Sequence, residues 1–293
     1  MAKKKPTELW FDAEPLLGAQ KKSLLGKAMT PLPGATLSRA QVYALAAFAE
    51  ANGLDFDAFI RPKQRKTPLP GLVLDGDCEA RLLYQDTPRI EFGNHGFRFL
   101  LHESDLSPTR RGYIAIRHDL QLPHMFLRSH TPGAMTPLAV ASPVVNFLGA
   151  FDFERTDPSH TALDAFRERA VILDDLPDAP FKAYLEPGHE DHARSLLAGD
   201  AAPHLADLSR SFDIENDGGW LLVYSYFGDI STVDPETWAW AFAAASRMLD
   251  VLEVWGADYS AAHLPWRTGR VVKRPKHFDG ALRAFAPVMR KLK

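Results

Sequence analysis

The stretch Phe212–Tyr226 reads FDIENDGGWLLVYSY and carries the clearest β-hairpin signal in the chain. The run FDIEN, which alternates apolar and polar residues, and the apolar-rich run WLLVYSY flank Asp217-Gly218-Gly219. A tight turn between antiparallel strands needs positive φ values, which glycine adopts without steric cost. The pattern therefore predicts two adjacent antiparallel strands joined at these glycines.

Shorter segments upstream show a similar strand pattern. They alternate or run apolar, and Asp, Pro, Asn and Gly separate them. Five of them lie between about residues 77 and 129: EARLLYQ, RIEFGN, FRFLLHE, GYIAIRH and HMFLRS. We expect an antiparallel meander in which GNHG is a tight hairpin connection, and further strands at FDFERT and RAVIL. No segment between the meander strands is long enough for a crossover helix, which argues against a Rossmann sheet.

Two longer segments have helical spacing and end signals. In SRAQVYALAAFAEANG, Ser38 is a natural N-cap and Gly53 is placed to end the helix. In DPETWAWAFAAASRMLDVLEVWG, Asp234 caps the helix, Pro235 fills the first turn and Gly256 follows the last turn. Two short helices, divided near residues 199–203, are expected after residue 186. The fold class is therefore α+β, with a largely antiparallel sheet and a few packing helices.

The chain divides into three parts by composition. Residues 1–37 contain lysine clusters and several prolines with little periodicity, so we expect a flexible N-terminal arm. Residues 38–260 are expected to form the α+β globular domain, and residues 261–293 a basic C-terminal segment. The one cysteine, Cys78, allows no intrachain disulfide and favours a reducing compartment.

The sequence also bears on location. The basic start has no apolar stretch behind it, unlike a signal peptide. No window approaches the roughly 18 to 20 apolar residues that span a bilayer. We therefore predict a cytoplasmic protein without a transmembrane segment. Any contact with the inner membrane is expected to be peripheral.

Charge is unevenly distributed along the chain. Residues 261–293 contain nine Lys or Arg and a single acid, Asp279, which gives a local net charge of +8. The whole chain carries −3, so residues 1–260 carry −11. This asymmetry predicts a segment that contacts an anionic membrane surface or an unknown protein partner. The open alternative is a solvated terminus, and a nucleic-acid partner is not expected because no recognisable binding motif accompanies the charge. The predicted partner-binding residues are Arg267, Arg270, Lys273, Arg274, Lys276, Arg290, Lys291 and Lys293.

Histidines are the candidate metal ligands. His118, His124 and His130 are spaced by six residues, which in one strand places them about 20 Å apart, too far to share an ion. Only a hairpin that brings two of them opposite each other would change this conclusion. His189 and His192 are spaced i, i+3 at the start of a predicted helix, which can place two imidazoles on one helix face, so they are the candidate metal ligands. The favoured expectation for this pair is a capping or solvated surface role, and metal binding is the alternative.

Motifs of several enzyme classes are missing from the sequence. There is no G-x-S-x-G elbow, no G-x-x-x-x-G-K-[ST] phosphate loop and no G-x-G-x-x-G after a strand. We therefore predict no cofactor and a non-enzymatic binding or scaffold domain. The alternative is a metal-assisted hydrolase that uses His189 and His192 with an acid from a distant loop.

Six segments, taken in order, resemble a family of uncharacterised bacterial proteins, many of them described as membrane proteins. The segments are FAEANGLDF, FGN, YIAIRHDLQLPHMFLRS, FDFER, SLLAGDAAPHLADL and FDIENDGGWLLVYS, within about residues 41–258. The resemblance implies an α+β domain facing the cytoplasm, often tethered beside transmembrane helices, with no known activity to carry over. It places His124 in a family strand, where packing or a backbone hydrogen bond is expected. This chain departs from the family pattern because it lacks a spanning segment.

Overall fold

The structure is a computed structural model, and it describes most but not all of the chain. The described residues are 9–25, 39–57, 69–73, 78–97, 100–101, 104–105, 109–129, 161–176, 179–225, 230, 232–260, 262–273 and 275. The predicted strand FDFERT and His130 lie outside these residues.

The described strands form a nine-stranded antiparallel sheet and a separate two-stranded sheet. The strands are β1 (Asp55–Asp57), β2 (Cys78–Tyr84), β3 (Ile90–Phe97), β4 (Leu100–Leu101), β5 (Ser104–Asp105), β6 (Thr109–Arg117), β7 (Met125–Ser129), β8 (Val171–Leu173), β9 (Phe181–Leu185), β10 (Phe212–Asp217) and β11 (Trp220–Ser225). The order in the large sheet is β1-β2-β3-β6-β11-β10-β7-β9-β8, and β4 pairs with β5. The predicted α+β class with a largely antiparallel sheet is confirmed.

The predicted hairpin is confirmed and occupies the centre of the large sheet. Asp217 pairs with Trp220, and Phe212 pairs with Ser225 at the far end. Gly218 and Gly219 connect the strands with φ values of 54° and 77°. Positive φ at both central residues is the geometry of a two-residue turn that matches strand twist.

The predicted meander is wrong in two details. First, β6 and β7 are not neighbours, because β6 pairs with β11 and β7 pairs with β10, so that the hairpin lies between them. Second, GNHG is not a turn but part of β3, where His95 and Gly96 pair with β6. Gly93 is needed there because a Cβ would lie 2.7 Å from the Tyr113 hydroxyl oxygen. Neither a strand's partner nor this close approach is visible in local sequence.

The described helices are α1 (Glu14–Leu25), α2 (Arg39–Ala51), α3 (Thr161–Arg169), α4 (Glu190–Leu197), α5 (Ala202–Ser209) and α6 (Pro235–Val254). A single 3₁₀ turn, Gly199–Ala201, separates α4 from α5, as the predicted division requires. Helix α3 and strand β9 were not predicted from the sequence. Within the predicted N-terminal arm, α1 is ordered against the body, and Leu16 and Phe11 are buried.

Most of the helices cover one face of the large sheet, called here the first face. Its core includes Leu221 and Val223 of β11, which contribute alternate side chains to it. Trp238 and Phe242 of α6 lie in the same cluster, and the ring of Phe242 is 5.5 Å from that of Phe92 in β3. Large apolar surfaces of helix and sheet are thereby removed from water, the dominant favourable contribution to folding.

The opposite face of the sheet, called here the second face, has a smaller core. It includes Trp220, Leu222 and Tyr224 of β11, together with Phe126 of β7. Residues 69–73 and helix α3 cover this face, since Leu69, Val73, Leu163 and Phe166 belong to the same cluster. Polar groups of the central strands therefore lie beneath a loop and a short helix rather than in open solvent.

Candidate functional site

Three carboxylates alternate along β10 on the second face: Asp213, Glu215 and Asp217. Successive strand residues point to opposite faces, so this spacing places all three on one face. Asp213 and Glu215 are buried, whereas the side chain of Asp217 remains 28% exposed. The row of acids thus runs from the interior of the sheet to its accessible rim near the hairpin turn.

Glu215 is fully buried, and its carboxylate accepts several hydrogen bonds. The Leu72 N–H lies 3.0 Å from each carboxylate oxygen, and the Tyr224 hydroxyl donates to Oε2 at 2.7 Å. A buried charge of this kind is tolerated only when such donors replace water. The loop at residues 69–73 is therefore part of the site, because its backbone supplies one of these donors.

Gly71 lets the loop approach the carboxylate closely. Its φ of +122° is rarely adopted by residues with a side chain. A Cβ at this position would lie 2.4 Å from the Tyr224 hydroxyl oxygen and 3.5 Å from Oε2 of Glu215. A glycine at this position is thus required by both backbone angle and space.

His124 lies beside the two carboxylates at the end of β10. The register pairs Asn216 with Met125, so the residue before Met125 comes next to Asp217. His124 Nε2 is 3.0 Å from Glu215 Oε1, and Nδ1 is 4.0 Å from Asp217 Oδ1. The imidazole also lies against the ring of Phe166 in α3, with 4.4 Å between ring centroids.

Opposing influences act on the pKa of His124. Burial lowers this pKa, but the hydrogen bond to Glu215 and the charges of Glu215, Asp217 and Glu186 outweigh burial, so that the pKa is raised above its ordinary value. The surrounding carboxylates therefore stabilise the protonated, positively charged form of the imidazole.

His124, Glu215 and Asp217 meet a geometric requirement for holding a metal ion. One ligand atom from each of the three lies within 4.8 Å of the others. Among the described residues, no other set of three His, Cys, Asp or Glu side chains meets this distance requirement. Imidazole and carboxylate together suit divalent cations of the first transition row.

His124 packs against Phe166, as expected, but its imidazole forms a hydrogen bond with the carboxylate of Glu215 rather than with a backbone group. His118 follows β6 and contacts Asn216, whereas His124 precedes β7 and contacts Glu215, so the two imidazoles have different partners. The spacing of the histidines did not predict that β10 lies beside β7, which places Glu215 and Asp217 next to His124. The available signal was the alternation of Asp213, Glu215 and Asp217, which becomes informative only once the neighbouring strand is known.

His118 has a different role. Its Nδ1 accepts a hydrogen bond from Leu120 N at 3.2 Å, so Nε2 carries the proton donated to Asn216 Oδ1 at 2.8 Å. Asn216 in turn donates to the Pro123 carbonyl oxygen at 2.8 Å. Burial lowers the pKa of His118, although its hydrogen bonds and Asp119 act in the opposite direction. This neutral imidazole ties the segment between β6 and β7 to the central hairpin.

The structure does not bring His189 and His192 into the set of ligands. His189 precedes α4, where its side chain makes no capping hydrogen bond, and His192 lies in the first turn. Both side chains are exposed. Among the described residues, neither belongs to a group of three side chains whose ligand atoms meet.

The described part of the basic segment, residues 262–273, is bound along the helical layer and is called here the C-terminal strap. Trp266 is fully buried, and its rings stack on Phe242 with centroids 4.9 Å apart. The Trp10 indole donates to the Trp266 carbonyl oxygen at 2.7 Å, and Val272 N donates to Asp207 Oδ2 at 3.0 Å. The strap therefore joins both ends of the described chain to one core.

The predicted partner-binding cations differ in their surroundings. Arg267 forms ion pairs with Glu253 at 2.7 Å and Asp250 at 3.2 Å, and the hydrogen bond to Glu253 is the main reason that its pKa is raised. Arg270 is exposed, with its guanidinium 4.6 Å from the ring centroid of Trp10, and Lys273 is also exposed. The remaining predicted residues lie outside the described part of the chain: Arg274, Lys276, Arg290, Lys291 and Lys293.

Comparisons with known proteins give one structural likeness. No protein-family model and no curated protein matches the sequence. A solved structure, the crystal structure of the mycobacterial trehalose monomycolate transport factor A, TtfA, is similar with a TM-score of 0.42 and 13% sequence identity. The likeness covers 74% of this chain and 97% of that one. Among the residues that the structure describes, no helix is both long enough and apolar enough to cross a membrane.

Proposed function

We propose that the chain is a non-enzymatic binding domain that contacts an anionic membrane surface through its basic C-terminal segment. The observation that carries the proposal is the separation of charge, with +8 in residues 261–293 and −11 in the rest. Membership of the membrane-associated bacterial family resembled by its sequence is part of the same proposal. The alternative of a hydrolase built on His189 and His192 lacks a third ligand beside them among the described residues.

The C-terminal strap supports this proposal because it holds the start of the basic block on the surface of the body. Trp266 and Val272 are buried, whereas Arg270, Val271 and Lys273 are exposed. A contact surface that is already ordered loses less conformational entropy on binding than a disordered tail. The buried side chains of Trp266 and Val272 also fix the position of the chain at the start of the basic block.

The exposed side chains of the strap have the chemistry of a lipid headgroup contact. Val271 is 58% exposed and stands next to Arg270, with Lys273 two residues on. Each cation near an anionic bilayer contributes about 1 kcal/mol, and salt screens this attraction. An apolar side chain among cations adds contact with the interfacial region. Arg267 is not counted here because Asp250 and Glu253 already pair with it.

Vesicle co-sedimentation of the full chain tests the proposal. The vesicles contain phosphatidylcholine alone or with phosphatidylglycerol, at rising sodium chloride. We expect binding only to the anionic vesicles, and replacement of three cations is expected to weaken it by roughly 100-fold at low salt, since each contributes about 1 kcal/mol. The three replacements are Lys273→Gln, Arg274→Gln and Lys276→Gln.

A matched control removes three exposed cations from elsewhere in the chain: Arg117→Gln, Arg169→Gln and Arg210→Gln. This variant has the same net charge as the tail variant. The proposal requires it to retain most of the binding. Equal losses in the two variants would show a general charge effect, and no binding to anionic vesicles would contradict the lipid contact itself.

A further inference from the structure

A cluster of candidate ligands lies on the second face of the sheet, apart from the proposed lipid contact. Glu215 and Asp217 come from β10, and His124 comes from the segment just before the neighbouring strand β7. One oxygen or nitrogen atom from each lies within 4.8 Å of the others. Two atoms that bind one ion at about 2.1 Å lie roughly 3 to 3.5 Å apart, so small side-chain shifts suffice to bring the three together.

The most deeply buried ligand is already held in place. Glu215 is fully buried, and the Leu72 N–H and the Tyr224 hydroxyl fix its carboxylate from the side of the loop and of β11. Metal sites typically have such outer hydrogen bonds, which orient the ligand before the ion arrives. The carboxylate of Glu215 is thus held in position before any ion binds.

The other two ligands leave a path for an ion to enter. The side chain of His124 is 21% exposed and that of Asp217 is 28% exposed. Phe166 packs against the imidazole and limits its orientation. The site is therefore closed on the sheet side and open toward the hairpin turn, and water can complete the coordination shell there.

The charges of the three ligands favour a divalent cation. With the imidazole in the neutral form that binds a metal, the three ligands together carry −2, which a divalent ion neutralises. Carboxylates alone would suit Mg²⁺ or Ca²⁺, but an imidazole ligand shifts the preference toward Zn²⁺ and Mn²⁺. Three protein ligands with open positions are typical of sites where zinc keeps a bound water.

We propose that His124, Glu215 and Asp217 form a binding site for one divalent transition-metal ion, Zn²⁺ or Mn²⁺. The ion takes the place of the hydrogen bond between His124 Nε2 and Glu215 Oε1, and the proton on Nε2 is released to water or moves to Nδ1 as the ion binds. The site is distinct from the basic segment, and neither proposal requires the other.

Calorimetric titration of the metal-stripped full chain with Zn²⁺ and with Mn²⁺ tests the site, and elemental analysis after dialysis gives the stoichiometry. We expect one ion bound per chain for at least one of the two metals. His124→Gln retains a hydrogen-bond donor toward Glu215, and Asp217→Asn retains the shape of a partly exposed side chain. Each is expected to weaken binding at least about tenfold.

The double variant His189→Gln, His192→Gln is the matched control, because it removes two exposed imidazoles that the site does not use. It is expected to bind the ion like the natural sequence. Thermal unfolding without metal checks that each variant is folded, and added metal is expected to raise the unfolding temperature only of chains with an intact site. Absence of binding by the natural sequence, or a loss caused by the control instead of His124→Gln, would overturn the site.

Discussion

The buried carboxylate of Glu215 depends on a glycine 144 positions earlier in the chain. The N–H that follows this glycine, from Leu72, donates to the carboxylate, as does the Tyr224 hydroxyl. Removing one donor from a buried charge leaves an unsatisfied group, which costs on the order of 1–3 kcal/mol or more. The stability of the second face therefore rests on the close approach of Gly71 to Tyr224.

Replacement of this glycine is the first stability prediction. We expect Gly71→Ala to lower the free energy of unfolding by about 2–4 kcal/mol, because φ is +122° and the new Cβ would lie 2.4 Å from the Tyr224 hydroxyl oxygen. Urea unfolding measures the change through the transition midpoint at constant slope.

Gly18→Ala is the matched control for the same chemical change. Gly18 lies within α1, and nothing lies within 4 Å of an added Cβ. Alanine favours a helix interior by about 1 kcal/mol over glycine, so this variant should be as stable as the natural sequence or slightly more stable. Similar behaviour of both variants would contradict the account of Gly71.

Helix α6 shows an element whose ends are encoded locally. Asp234 accepts hydrogen bonds from the Thr237 N–H and the Thr237 hydroxyl, both at 2.8 Å. Pro235 occupies the first turn, where its missing N–H costs nothing. The helix was predictable because its capping residue, its first-turn proline and its buried apolar residues all lie within one continuous stretch.

The prediction for α6 concerns the loss of the Asp234 cap. Asp234→Ala is expected to lower the free energy of unfolding by about 1 kcal/mol, whereas Asp234→Ser, which keeps a capping oxygen, is expected to lose only a fraction of that. Chemical unfolding of both variants followed by circular dichroism measures the difference. Equal losses would show that the hydrogen bond to Thr237 is not the source of stability.

Strands of the sheet were less completely predictable than this helix. The hairpin between β10 and β11 was predicted because Gly218 and Gly219 mark its turn, and the two strands adjoin in sequence. The partners β6 and β7 are instead brought to the hairpin from about 100 residues away, and alternation alone does not encode which edge a strand joins. The His124 site depends on this long-range pairing, and so the sequence did not reveal it.

At the scale of the whole molecule, the two ends of the described chain meet on the helical layer. Trp10 donates to the Trp266 carbonyl oxygen across 256 residues, and Arg270 lies over the Trp10 ring. Sequence composition predicted a basic segment at this position, but it gave no sign that Trp266 is buried in the core. Charge patterns indicate which segments are basic, whereas packing decides which parts of such a segment remain exposed.

Anchoring of the C-terminal strap gives the last prediction. Trp266 is fully buried, stacks on Phe242 and meets Phe92 edge to face at 5.7 Å. Trp266→Ala is expected to lower the free energy of unfolding by about 3–5 kcal/mol, as for other large-to-small changes in cores, whereas Trp266→Phe keeps a stacked ring and should lose less.

Guanidinium chloride unfolding of the full chain measures both variants of Trp266. Because the strap joins α6, the N-terminal residues and the sheet in one core, we expect the transition to remain single and to shift as a whole. An unchanged midpoint for Trp266→Ala would mean that the strap is detached from the core in solution. In that case residues 262–273 would behave as a free tail, and the ordered presentation of Arg270 and Lys273 would be lost.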